Sequence, residues 1–133
     1  TGDWSSDVCS SDLALYELDV YVLAERLSDM VWRDYEKWPE KVRRTVGYQI
    51  IRSSDSIAAN LAEGYGRYTS ADRKNFYYYA RGSFEETKAW LRKLIRRKII
   101  SDADSDSFTK IINELGPKLN AFITSTKKNM RTK

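Results

Sequence analysis

The sequence predicts an all-α protein, an antiparallel up-down-up-down four-helix bundle. Three observations carry that expectation. Four stretches repeat apolar residues at steps of three and four. Short turn-forming breaks separate them at Trp38-Pro39, at Glu63–Arg67 and at Ile99–Asp102. No stretch alternates apolar and polar residues with the period of two that a strand requires. A chain of 133 residues is long enough for one domain and one core.

The first helix is expected from about Tyr16 to Tyr35, where Tyr16, Val20, Leu23, Leu27 and Val31 form one stripe. It stops at Trp38-Pro39, because the residue before a proline is pushed out of the α region. The second helix opens near Pro39 or Glu40, a position that suits proline, and runs to about Gly64 with Val46, Ile50, Ile57 and Leu61 inward. Its second half is built of small residues (Ser53, Ser54, Ser56, Ala58, Ala59, Ala62), which would let a neighbouring helix come close. Gly64 and Gly66 read as C-terminal caps with positive φ.

Thr69 followed by Asp72 reads as a capping box opening the third helix. That helix is expected to reach about Lys98 with Phe76, Ala80, Ser83, Thr87, Leu91, Leu94 and Ile95 inward. The fourth begins near Asp102 or Asp104, whose charges suit a helix N-terminus. Phe108, Ile111, Ile112, Leu115, Leu119, Phe122 and Ile123 form its stripe. Pro117 should kink this helix without ending it, since the stripe resumes in phase.

Residues 1–13, Thr-Gly-Asp-Trp-Ser-Ser-Asp-Val-Cys-Ser-Ser-Asp-Leu, differ from the rest in composition and repeat Ser-Ser-Asp. They lack the basic and apolar regions of a signal peptide. They are expected to be a non-native or disordered leader, with the bundle at 14–127 and a basic tail at 128–133. The net charge of the whole chain is +4. Because residues 1–13 hold three aspartates and no base, residues 14–133 carry 23 basic against 16 acidic side chains, a net +7.

No apolar run approaches the length of a membrane span. Histidine is absent and Cys9 is the single cysteine, which removes histidine acid–base chemistry, Cys–His nucleophiles and the usual zinc sites. A reducing, cytoplasmic setting is expected. Asp102, Asp104 and Asp106 alternate as in a calcium loop but lack its glycine and closing glutamate, so they read as helix-start polarity. Glu85 and Glu86 diverge on a helix and make no acid–base couple. The sequence therefore predicts no enzyme, no metal and no cofactor.

The run Ser56-Ile-Ala-Ala-Asn60-Leu-Ala-Glu63-Gly64-Tyr-Gly66-Arg67 resembles the signature of a bacterial four-helix-bundle family. That family was first met as reading frames in intervening sequences of large-subunit ribosomal RNA genes. The likeness continues through Phe76, Ala80-Arg81-Gly82-Ser83 and Glu86, and Trp38-Pro39 matches the family's turn. It covers about residues 15–127 and departs at Ala58, where many members have proline, and at Pro117. The resemblance implies a small cytoplasmic homopentamer. A related branch, the accessory variability protein of diversity-generating retroelements, is a basic pentamer that binds nucleic acid and works beside a reverse transcriptase. It implies no reaction.

Three constellations stand as candidate sites. Asn60, Glu63 and Arg67 share a helix face at steps of three and four. They form either a ligand-binding cluster or a clasp for the turn, with Gly64, Gly66, Gly82 and Glu86 in the same motif and Arg52 or Glu86 as partners. The flanking glycines favour the clasp. Lys88, Arg92 and Arg96 repeat every four residues, with Arg81 two turns earlier and Lys93, Arg97 and Lys98 beside them. Arg43 and Arg44 open the second helix, and Lys127, Lys128, Arg131 and Lys133 close the chain. These bases either track an RNA or DNA backbone or form a solvated face. Phe76-Tyr77-Tyr78-Tyr79 sweeps about 300° of helix surface, more than one core can cover. Tyr77, Tyr78 and Tyr79 are therefore expected at a subunit interface, with base stacking as the second reading and plain exposure as the third.

Overall fold

A computed structural model describes the backbone of residues 10–132 and the side chains of 14–126. Residues 1–9, with Cys9, and the side chains of Lys127, Lys128, Arg131 and Lys133 lie outside the described residues. The described chain is all-helical, with no strand: α1 (Ser10–Glu17), α2 (Asp19–Tyr35), α3 (Glu40–Val42), a π-helical turn (Arg43–Gly47), α4 (Tyr48–Tyr65), α5 (Ser70–Arg96) and α6 (Asp102–Thr132). Helix α2 packs on α4, α4 on α5, α5 on α6, and α6 back on α2. The expected first helix is two segments that meet at Leu18, whose extended backbone (φ −68°, ψ 133°) breaks the helical path. The last helix continues to Thr132, through most of the expected tail.

The core is the meeting of the four stripes. Leu27, Val31, Ile50, Ile57, Leu61, Ala80, Leu94, Leu115 and Leu119 are fully enclosed, with Phe108 nearly so. The small-residue half of α4 faces inward through Ser53, Ser54 and Ala58. There the Ser53 and Thr87 hydroxyls meet at 2.9 Å, joining α4 to α5, and Thr87 also lies 2.8 Å from the Ser83 carbonyl. One hydroxyl can donate to its own helix while the other donates across, so neither buried group is left unsatisfied.

Two expectations, one about α5 and one about the end of α4, are corrected. The inward residues are Tyr77, Ala80, Phe84, Thr87, Leu91 and Leu94, so Tyr77 and Phe84 take the places expected for Phe76 and Ser83. At the end of α4, Gly66 is the C-cap as expected, but its φ of −82° is an ordinary right-handed value and not the expected positive one. Gly64 is required for space. A Cβ there would stand 2.7 Å from Cε1 of Tyr77 and 3.0 Å from Cβ of Phe76. The one non-glycine residue with positive φ among those described is Lys98, at 59°. It follows α5, and the next amide, Ile99 N–H, reaches back to the Leu94 carbonyl at 3.0 Å. That is the bond pattern of a Schellman stop.

The π-helical turn had no counterpart in the periodicity. The wider turn brings the Val42 carbonyl oxygen to 3.0 Å, and the Tyr35 ring to 3.1 Å, from where a Cβ on Gly47 would sit. A side chain at Gly47 would press on its own helix and on Tyr35 of α2, which would have to give by a few tenths of an ångström. The Thr45 hydroxyl lies 2.8 Å from the Lys41 carbonyl and 3.3 Å from that of Val42. It gives a donor to acceptors that the change of hydrogen-bond register disturbs. Helix α6 runs unbroken across Pro117, and at the preceding Gly116 a Cβ would stand 3.3 Å from the Phe84 ring.

Candidate nucleic-acid interface

Thr69 caps α5 by accepting the Asp72 N–H at 3.1 Å, which fixes where the helix starts and so which way each later side chain points. The basic stripe follows from that phase. Lys88, Arg92 and Arg96 stand one above another, about 6 Å apart along the axis, and all three are exposed. Arg81, also exposed, extends the line toward the helix start. The Lys88 ammonium is 3.4 Å from Glu85 and lies over the Phe84 ring. Among the described residues no carboxylate pairs with Arg81, Arg92 or Arg96.

The remaining basic candidates do not join this stripe. Lys93 and Arg97 sit about 100° further round the helix. Lys93 lies over the Trp90 ring, and Arg97 borders a recess with Lys41, Val42, Thr45, Val46, Leu94 and Ile99. Lys98 occupies the left-handed stop. Arg43 lies within the π-helical turn, with its Nε buried and unpartnered, and Arg44 pairs with Glu40 at 3.4 Å.

Beside the stripe runs a groove between α5 and α6 that periodicity did not reveal. It encloses about 260 Å³ and is lined by Lys88, Leu91, Arg92, Ile95, Arg96, Phe108, Thr109 and Ile112. Ile95 and Ile112 are half-buried while Leu91 and Phe108 belong to the core. Ile95 and Ile112 sit at the edges of their stripes, and the groove arises where neither helix fully covers the other, which spacing within one helix does not show.

Within the Asn60–Arg67 motif, Arg67 touches α5. Arg67 reaches Glu63 at 2.8 Å and lies 4.6 Å over the Phe76 ring. Its carbonyl accepts Arg73 Nε–H at 2.8 Å. The Asn60 amide donates to the Ser56 carbonyl of its own helix. The expected partners differ: Arg52 lies over Tyr48 and Glu86 accepts the Trp90 indole N–H at 3.0 Å. An open recess of about 600 Å³ lies beside this motif, with Glu63, Arg67 and Asp72 in its walls. Glu63 and Arg67 pair there, while Arg67 Nε is buried without a hydrogen-bond partner.

Of the three tyrosines, Tyr77 is withdrawn as an interface residue. It is 3% exposed, seated on Gly64 and 4.8 Å from the Phe122 ring, and burial raises its phenol above the usual value. Tyr78 is half-buried and Tyr79 is 58% exposed. Gly82, one turn further on, is exposed, and nothing lies within 4 Å of its Cβ position.

At the opposite end of the bundle, Asp34 is buried beside Asp104, with Lys37 3.5 Å from the first and 3.8 Å from the second. Burial first, then the Asp104 charge, push the Asp34 carboxyl above its ordinary 3.8, with Lys37 pulling the other way. A carboxyl raised on folding favours the native state below about pH 3.8, and that advantage is lost as pH climbs through the raised value. Asp34→Asn keeps the shape, removes the repulsion and can donate to Asp104. The variant should be more stable by about 1 kcal/mol at pH 7, with the gain shrinking toward pH 3. Urea melts at the two pH values measure it, and equal gains at both would contradict an origin in the buried charge.

Known proteins resemble this chain in sequence and in fold. The model of a family described as 23S rRNA-intervening sequence protein matches residues 16–121. A crystal structure of a protein with unknown function, from the S23 ribosomal protein family of Bacteroides thetaiotaomicron VPI-5482, is similar with a TM-score of 0.69. The two are 25% identical, over 78% of this chain and 97% of that one. No curated protein matches the chain. Among the described residues no helix is long and apolar enough to cross a membrane, and no group of three or more carboxylate or cysteine side chains is placed to hold a metal ion.

Proposed function

The chain belongs to the 23S rRNA-intervening sequence protein family, and from that premise we propose that it is a non-enzymatic, cytoplasmic, self-associating bundle that binds RNA or DNA as an accessory or scaffold. The four long helices run up-down-up-down in this reading. The closed sequence of helix contacts and the short connections at 36–39, 66–69 and 97–101 support it, because short links favour antiparallel neighbours.

The observation that carries nucleic-acid binding is the exposed line Arg81, Lys88, Arg92 and Arg96, in which three of four charges have no carboxylate partner among the described residues. Such a line supplies the non-specific phosphate attraction that dominates affinity. Five copies of residues 14–133 would carry about +35, which strengthens the field further.

Self-association rests on Tyr79, Gly82 and Glu86, which share the face of α5 turned away from its own core. A glycine inside a helix costs about 1 kcal/mol relative to alanine, and nothing within the chain requires one at position 82. A helix of a second copy passing close would account for it, with Tyr79 as a large amphipathic contact. A homopentamer is the assembly assigned in this reading.

Light scattering should give an oligomer for the native chain and a monomer for Gly82→Gln, which blocks close approach and is otherwise helix-favouring. A native monomer, or an unchanged oligomer in the variant, would reject this face. Titration with RNA and with duplex DNA at low and moderate salt should give binding that weakens with salt. An oligomer that binds neither would instead be a structural or protein-interaction scaffold.

A further inference from the structure

We propose that the α5–α6 groove takes unpaired bases while the Lys88–Arg92–Arg96 stripe holds the adjoining phosphates, so that the protein selects single strands over duplex; the inference rests on the nucleic-acid reading above. The floor and the rim have opposite chemistry. The half-buried Ile95 and Ile112 form the accessible apolar floor, over the nearly enclosed Leu91 and Phe108, and Lys88, Arg92 and Arg96 line the same groove. Thr109 is the one uncharged polar residue in the lining. An apolar strip this close to free guanidinium groups matches a ligand that is charged along one edge and flat and unsaturated along the other.

A duplex cannot use both features, because its bases are stacked and paired behind its phosphates. A single strand can turn bases toward the floor while its backbone follows the stripe, whose steps of about 6 Å offer a cation to successive phosphates of an extended chain. Sequence tolerance also follows. The floor offers contact with base faces, which all bases share, and almost no groups that could read their edges. Guanidinium planes of Arg92 and Arg96 at the rim can stack on the same bases.

The test uses the full chain and three probes of matched length in the same buffer: a single-stranded DNA, its abasic counterpart with the sugar–phosphate backbone intact, and a duplex. The intact strand should bind at least about tenfold more tightly than either of the others. Ile112→Gln should erase most of the advantage over the abasic strand. Intact and abasic strands binding alike would overturn the groove assignment and leave the stripe in place. A duplex binding as tightly as the intact strand would overturn the selectivity. Failure of all three probes to bind would reject the nucleic-acid reading itself, and the groove assignment with it.

Discussion

Gly64→Ala is expected to destabilise the fold by about 2 kcal/mol and to lower its melting temperature by about 8 °C. Intrinsic propensity points the other way, since alanine in a helix is favoured over glycine by about 1 kcal/mol. The outcome therefore decides between local preference and packing. Packing should win because the new methyl group would lie 2.7 and 2.9 Å from two carbons of the Tyr77 ring and 3.0 Å from Cβ of Phe76. Tyr77 has no easy retreat. It is 3% exposed and its other side meets Phe122. Gly82→Ala supplies the control in the same helical setting. With nothing within 4 Å, it should stabilise by about 1 kcal/mol. Chemical denaturation of both variants, measured under conditions where the chain is monomeric, gives the comparison. Gly64→Ala matching or exceeding native stability would mean that α4 and α5 approach less closely than these distances require. Tyr77→Leu should relieve part of the clash, so a double-mutant cycle between positions 64 and 77 should show coupling.

The same pair of glycines marks the boundary of what the sequence could tell. Gly64 and Gly66 looked alike because both flank a turn, and turn chemistry is local. Which of them is needed for space depends on Tyr77, thirteen positions beyond Gly64 and on another helix. Features set by neighbouring residues were legible: the Thr69 cap, the stop at Pro39, and the last helix's stripe, of which Phe108, Ile111, Leu115, Leu119 and Ile123 are buried and Ile112 and Phe122 half-buried. The phase of α5 was harder. Its first half is aromatic on every side, so apolar spacing alone placed Phe76 inward, and only contact with Gly64 and Phe122 selects Tyr77. The π-helical turn at Arg43–Gly47 left no trace, because an extra residue within one turn alters direction without altering composition. At the candidate interface the spacing of Lys88, Arg92 and Arg96 was readable. The groove beside them was not, since it exists only where two helices fail to cover Ile95 and Ile112.

Charge-matched pairs of substitutions should separate the stripe from charge in general. Arg92→Gln with Arg96→Gln removes two guanidinium groups that lack ion-pair partners among the described residues. Lys93→Gln with Arg97→Gln removes two charges from the neighbouring face of the same helix. All four positions are exposed and glutamine is a good helix former, so both variants should keep their helical signal and melting temperature. Net charge falls equally in both, and a purely diffuse attraction would weaken equally. If Arg92 and Arg96 each meet a phosphate of a single strand, losing them should reduce the slope of log K against log salt by about 1.4. Counterion release alone then predicts a loss of about 60-fold in affinity at 50 mM salt and about tenfold at 200 mM. Lys93 and Arg97 should cost several-fold at most and leave the slope nearly unchanged. Fluorescence anisotropy across a salt series reads both quantities. Equal slopes for the two variants would show that the bases act only as a field, with no line of phosphate contacts along Lys88, Arg92 and Arg96.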